Sequence, residues 1–413
     1  QGMLFAERMM DAIAITEGVD PLTIRKRNLY RRGRDVTPYG MRVHDNVSLA
    51  LIRALEKSSD YWARRKAVRR YNRSHEWLKK GIALTPVKFG IAFTLKHLNQ
   101  AGALVHVFTD GSVQVNHSGT EMGQGLFIKV VQAVAAVFGL PPEQVRVTAT
   151  RTDKVPNSGP TAASSGSDLN AMAAGNAART IRDRLAVLAA RLYQGRRQEV
   201  NFAQGQVRIG QTIVPFATLT HQAFLERVSL SATGYHATPK ITWDRDSQTG
   251  RPFSYFAYGA ACSEVSIDTL TGEMKIDRVD VLHDVGRSLN PAIDIGQIEG
   301  AFVQGMGWLV TEELVFDNEG RLSTHGSSTY KIPTCSDVPE DFRVSLWAPG
   351  RNREPTVNRS KAVGEPPLML AISVFSAITH AIASLGNRQV PDLDAPATPE
   401  SILRAVHGMR GAR

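Results

Sequence analysis

Cysteine is nearly absent from this 413-residue chain: Cys262 and Cys335 are the only two, and they lie far apart. Zinc ribbons, thiolate-held iron–sulfur clusters and disulfide frameworks all need clustered thiols, so each is excluded. A reducing, cytoplasmic setting is expected. No apolar run is expected to reach the ~20 residues of a bilayer span. The opening residues 1 to 15, with Glu7, Arg8 and Asp11, read as neither signal peptide nor membrane anchor. No repeat period or low-complexity tract stands out. An initiator Met is missing too, and Gln1 leads almost directly into a helical pattern, as in a chain that begins mid-protein.

What is present is an ordinary globular balance, 42% hydrophobic and 21% charged, long enough for two domains or subdomains. The formal charge of +10 and the cluster Arg64, Arg65, Lys66, Arg69, Arg70 and Arg73, with Trp62 and Tyr71, raise a nucleic-acid reading. Glu56, Asp60 and Glu76 flank that cluster, so a solvated or docking face is the expectation, with no nucleic acid and no membrane as partner. A basic RNA-binding or assembly module without catalysis remains the alternative of a different class.

Residues 3 to 15 and 21 to 30 read as helices, the second capped by Asp20 with Pro21 at its first position. A basic connection over 31 to 45 leads to one long amphipathic helix, about 47 to 80. Strands follow at 87 to 94, 102 to 109 and 112 to 117, and at 144 to 150 after a helix at 126 to 138. A second long helix ends near Leu192, a strand pair occupies 199 to 220, long strands occupy 252 to 285 around a Thr271-Gly272 turn, and a helix covers 294 to 313. Strands and helices do not alternate regularly, which makes the class α+β with mixed sheets and inserted helices.

The stretch from Ser360 to Ala383 organises the rest. Leu368, Ala371, Ile372, Phe375, Ile378 and Ile382 recur at helical spacing, giving a buried helix whose start is marked by Pro366 and Pro367. Pro366 biases Glu365 away from helical geometry and aims its carboxylate outward from a rigid mount. A carboxylate so mounted can serve as a general base or simply cap the helix. Gly119, Thr120, Glu121, Met122, Gly123, Gln124 and Gly125 lie between a strand and a helix, a layout that offers backbone N–H groups to an anion or merely makes a tight turn. The loop has no Lys-Ser or Lys-Thr pair behind it and matches neither a Walker nor a dinucleotide motif. The loop from Pro160 to Ser167 gathers small and hydroxyl residues, which admit a ligand close to backbone. Gln297 and Gln304 lie on a Gly-bearing helix. Phe89, Ile91 and Phe93 alternate along a strand beside Thr94, packing a core or clamping a flat ring.

Together these motifs resemble one family, the molybdenum-cofactor-bearing part of the xanthine dehydrogenases and aldehyde oxidases. The segments that carry the likeness are 1 to 4, 25 to 30, 88 to 94, 99 to 103, 119 to 126, 155 to 169, 296 to 307, 328 to 333 and 360 to 370. The resemblance implies a metal held by the dithiolene of molybdopterin and by no protein side chain. It implies that Glu365 is the base, taking a proton from a metal-bound hydroxyl while hydride passes to a sulfido ligand. Gly123, Gln124, Ala162, Ala163, Ser164, Ser165 and Gln297 would contact the cofactor, with Ala163 beside the metal. Phe89, Phe93 and Thr94 would hold a purine. His117, Ser118, Phe127 and Gly166 depart from the residues usual in the family.

By the same resemblance, residues 1–30 are the tail of a first molybdopterin-binding domain, 31–55 a connection and the start of the long helix, and 56–413 the second such domain, with possible subdomains 81–250 and 251–413. The implied reaction is oxidation of hypoxanthine to xanthine and of xanthine to urate, or of aldehydes or other N-heterocycles. Electrons would pass to [2Fe–2S] clusters, FAD and NAD on other segments or chains, in a hetero-oligomer of (αβ)2 type.

Overall fold

The computed structural model describes residues 1–154 and 158–411; part of the match at 155 to 169 therefore lies outside the described residues. Two sheets carry the architecture. In the first, Leu78–Ile91, Tyr255–Asp268 and Met274–Asp284 run antiparallel, and Phe342–Leu346 adds a parallel edge. The second orders Val145–Val147, Val113–His117, Gln100–Val107 and Ser231–Ala237. A small three-stranded sheet, Val200–Ala203, Gln206–Ile209 and Thr212–Pro215, stands where a strand pair was expected.

Each large sheet has its own core. Helix Ile372–Ala383 packs on the first sheet so closely that a Cβ on Gly81 would lie 1.8 Å from the carbonyl oxygen of Ala377. Phe375, Ile378 and Ile382 are buried there with Ile298 and Phe302. Each such side chain contributes about 1.5–3 kcal/mol by leaving water. Helix Gly166–Leu192 covers the second sheet with Ala171, Ala173, Ala174, Ala177 and Ala178, and a Cβ on Gly234 would lie 2.1 Å from the carbonyl oxygen of Ala173. Strand Leu78–Ile91 therefore pairs with residues after 251, whereas residues 100 to 237 build the second layer.

Several expectations need correction. The long helix of 47 to 80 is two, Ser48–Ser58 and Tyr61–Ser74, broken where Ser59 and Asp60 interrupt the helix formers and Asp60 turns to φ 51°. Lys79 and Lys80 already belong to a strand, and that strand ends at Ile91 because Ala92 takes φ 149°. The apolar segment Pro366–Ala383 is, at 18 residues, long and apolar enough to cross a membrane, but most of it is buried in the first core.

Residues 1 to 30 form helices Gly2–Glu17 and Pro21–Asn28, the latter capped as expected by the Asp20 carboxylate, which accepts from Leu22 N–H at 3.0 Å. Buried charge fastens them to the core. Arg25 lies 2.8 Å from Asp11, and Asp11 lies 3.1 Å from Nε2 of His380 on the central helix. Burial works against the Asp11 charge, yet Arg25 and His380 prevail and hold its carboxyl down at about 2. Removing one member of such a pair costs about 3–5 kcal/mol. In the basic cluster, Arg64 is spent on Glu264 and Asp280, and Arg65 on Asp20.

Candidate active site

Segment 360 to 365 reaches Glu365 along a tightly anchored path. Lys361 is buried between Asp284 at 2.7 Å and Asp45 at 2.9 Å, and its N–H donates to the carbonyl of Val285. The N–H of Ala362 donates to the Tyr255 hydroxyl at 2.9 Å. The Glu365 N–H donates to Ser164 Oγ at 2.8 Å, and that hydroxyl donates back to Glu365 Oε2 at 2.7 Å. Glu365 is helical in geometry, φ −82° and ψ −38°, contrary to the bias expected before Pro366. Its carbonyl accepts from Leu368 N–H, closing the first turn of a tight helix, Pro366–Ala371, that feeds Ile372–Ala383. The carboxylate is exposed toward a cleft of about 250 Å³.

Four chain segments meet in that cleft. Gln124, Ala162, Ser164, Gln297 and Glu365, all expected at one site, line it together. Ala163 stands between two lining residues, and both Ala163 (φ 55°) and Ser164 (φ 54°) adopt left-handed backbone. Two consecutive non-glycine residues in that region cost on the order of 1–2 kcal/mol each, and such strain gathers at functional sites. Ser165 turns away: it is buried, and its hydroxyl donates to the Ala162 carbonyl at 3.0 Å, closing the loop ahead of helix Gly166–Leu192.

The glycine-rich loop differs from its expected role. The Glu121 carboxylate accepts from the N–H groups of Gly123, Gly125 and Phe127 at 2.9–3.0 Å, so the amides at the start of helix Leu126–Phe138 already hold an anion of their own. Gln124 spends its carboxamide within the loop, accepting from Met122 N–H at 2.6 Å and donating to the Thr120 carbonyl. Gly123 lies outside the lining at φ 102°, a conformation that requires glycine. His117 and Phe127, two of the departures, pack edge to face at 5.0 Å, and burial pushes the imidazole down to about 4.

Phe89, Phe93 and Thr94 do not line the cleft. Phe89 shares an apolar cluster with Ala362, so it backs the wall that carries Glu365. Phe93 follows the strand's end, its N–H and carbonyl both bonded by the Asn99 carboxamide at 2.8 Å, and Thr94 is exposed.

The residues that sequence reasoning missed are the cleft's charges other than Glu365. Lys129 meets Asp294 at 2.6 Å, and Ser288 donates to the other oxygen of Asp294 at 2.5 Å. Asp168 receives the Tyr255 hydroxyl at 2.6 Å. Burial raises the Asp168 carboxyl to about 7, against the Tyr255 bond and the Lys129 charge. A signal existed: Lys129 is the one charge in the apolar helix Leu126–Phe138, and a buried lysine needs a carboxylate.

A model of the molybdopterin cofactor-binding domain matches residues 54–339. The chain belongs to that family. Among curated relatives, the xanthine dehydrogenase/oxidase of Rattus norvegicus is 45% identical over 414 residues, and the xanthine dehydrogenase of Dictyostelium discoideum 46% over 409. These alignments take in 98% and 97% of this chain but 29% of either relative. The chain thus spans less than a third of the length of the proteins it matches. In three dimensions it superposes on quinoline 2-oxidoreductase from Pseudomonas putida 86 with TM-score 0.86 at 24% identity, over 99% of this chain and 52% of that one. That last likeness speaks to the fold.

The cleft fits what a molybdopterin cofactor-binding domain needs to hold. Among the described residues the Gln297 carboxamide has no hydrogen-bond partner while it lines the cleft, so it offers a donor and an acceptor to a flat, amide-edged ring. A Cβ on Gly364 would crowd Ser164 Oγ at 3.0 Å, so glycine keeps the floor beside Glu365 open. The two lysines of the lining, Lys129 and Lys361, are already paired with Asp294 and Asp284. The anion-binding amides next door are occupied by Glu121.

Proposed function

We propose that this chain is the catalytic portion of a xanthine dehydrogenase, hydroxylating hypoxanthine to xanthine and xanthine to urate with Glu365 as the general base. One observation carries the reading. The Glu365 carboxylate is fixed through Oε2 by Ser164, while Oε1 has no partner among the described residues, in the same cleft as the free Gln297 carboxamide.

The molybdopterin cofactor, when bound, supplies the two-electron oxidation of the substrate carbon. The chain's own residues bind, orient and move a proton. Gln297, with Gln124, Ala162 and Ser164 of the lining, would hold the cofactor's edge. Ser164 fixes the Glu365 rotamer, so that Oε1 would accept the proton lost by a water-derived hydroxyl as its oxygen bonds to the ring carbon, while the C–H hydrogen would leave with its electron pair to the cofactor. A base so positioned is worth about 100- to 10,000-fold in rate. Phe89, Phe93 and Thr94 are assigned to the purine within the same proposal, Phe89 acting through the Ala362 wall. Gly123, Ala163 and Ser165 shape the loops behind the lining. Electrons pass to [2Fe–2S], FAD and NAD on other segments or chains of a hetero-oligomer. The 41–46% identity to xanthine dehydrogenases from animals, a slime mould and a plant supports a purine over an aldehyde.

The test is E365A in the whole enzyme, assayed on xanthine with molybdenum content measured. Turnover is expected to fall by about 100- to 10,000-fold with the metal retained. Near-normal turnover would remove Glu365 from the reaction. Turnover of an aldehyde with refusal of purines would move the substrate and leave the base.

A further inference from the structure

Glu365 is tied to helix Gly166–Leu192 and its leading loop at two points. One is direct, through Ser164. The second runs through the sheet: the N–H of Ala362 donates to the Tyr255 hydroxyl at 2.9 Å, and that hydroxyl donates to Asp168 Oδ2 at 2.6 Å. Tyr255 is buried, so its O–H has no water to fall back on, and the chain of bonds is polarised in one direction. Asp168 lines the cleft with Glu365 and also a second, smaller cavity on its other side.

We propose that Asp168 and Tyr255 are a positioning pair for Glu365, an Asp–Tyr–backbone relay that fixes segment 362 to 365 in register with the cofactor wall. The inference rests on Glu365 being the base. The geometry explains why a carboxylate is kept inside the wall: an ionised Asp168 holds the phenolic proton in a charge-assisted bond and leaves the phenol oxygen to Ala362 N–H. A protonated Asp168 accepts that proton only through a neutral carbonyl oxygen, in a bond about half as strong.

The groups facing Asp168 are Lys129 and Asp294 from the two neighbouring helices, Lys361 and Glu365 from the tethered segment, and His236 and Glu354 across the second cavity, with Tyr255 beneath. Because burial lifts the Asp168 carboxyl to about 7, the relay is intact above that pH and loosens below it. Turnover should fall on the acid side with an apparent pKa near that value.

The test compares Y255F, D168N and E365Q in the whole enzyme, alone and combined. Y255F is expected to lower kcat by about 10- to 100-fold with KM and molybdenum content little changed, the cost of a base displaced by a fraction of an ångström. Added to E365Q, Y255F should cost nothing further, since there is no base left to misplace. D168N keeps a carbonyl acceptor for the phenol but cannot titrate, so its acid limb near pH 7 disappears. Independently of turnover, a protonated-carboxyl infrared band should titrate near pH 7 in the wild type and be absent from D168N. A Y255F kcat within about twofold of wild type, or an equal loss in the E365Q background, overturns the proposal. Should Y255F fail to fold, an unmoved acid limb in D168N overturns it. An active E365Q instead sinks the base assignment itself, and is read separately from these outcomes.

Discussion

Two loops open helices beside the cleft, and they resolve the same physical problem in opposite ways. The loop before helix Leu126–Phe138 satisfies itself: Glu121 binds three of its amides and Gln124 closes on Thr120 and Met122. The loop before helix Gly166–Leu192 sends its hydroxyl outward, Ser164 reaching across to Glu365, and holds Ala163 and Ser164 in left-handed backbone to do so. The glycine-rich sequence looks more like a ligand site, yet it is the closed one. The proposed chemistry rests on the loop that leaves a bond to be made outside itself.

Replacing Ser164 by Ala is the strongest way to break this contrast. Both hydrogen bonds to Glu365 are lost, while the removed oxygen leaves little apolar packing behind. Turnover should drop by about 10- to 100-fold, equal to about 1.4–2.7 kcal/mol of barrier, with the unfolding midpoint little moved. Steady-state kinetics beside a denaturant titration would check both. A loss of stability without a loss of rate would make the Ser164 loop no different from its neighbour.

The converse variant, E121A, should show the opposite signature. Orphaning three amides at a helix start is expected to cost about 1–2 kcal/mol of stability, as for other lost caps. Its effect on kcat should be smaller than that of S164A, because Glu121 bonds nothing across the cleft. Chemical unfolding and the same assay decide it, and a rate collapse at unchanged stability would assign the glycine loop a direct role.

Much of this was legible in the residues. The helical spacing of Leu368, Ile372, Phe375 and Ile382 marked the buried mount, and Asp20 with Pro21 marked a helix start that the structure keeps. Gln124, Ala162, Ser164, Gln297 and Glu365 were assigned to one site and share one cleft. What was hidden is tertiary. Nothing local announces that Glu121 turns back on its own loop, or that Ala92 flips to φ 149° and ends the strand before Phe93. Asp168 and Tyr255 are separated by 87 positions, and their bond exists only because the first turn of a helix that covers the second sheet meets the first residue of a strand in the first sheet.

The smallest effect expected tests the strain itself. Ala163 at φ 55° pays for a conformation that glycine adopts freely, on the order of 1–2 kcal/mol, whereas glycine loses more backbone freedom on folding, by about 0.4–1 kcal/mol. A163G should therefore stabilise the protein slightly, by about 0–1.6 kcal/mol, as a small rise in the unfolding midpoint. The same change frees the backbone that presents Ser164, so kcat should fall modestly even as stability rises. That opposed pair of signs is what a strained loop held for function predicts. If A163G destabilises the protein, the left-handed pair carries no strain, and the Ser164 loop owes its shape to packing alone.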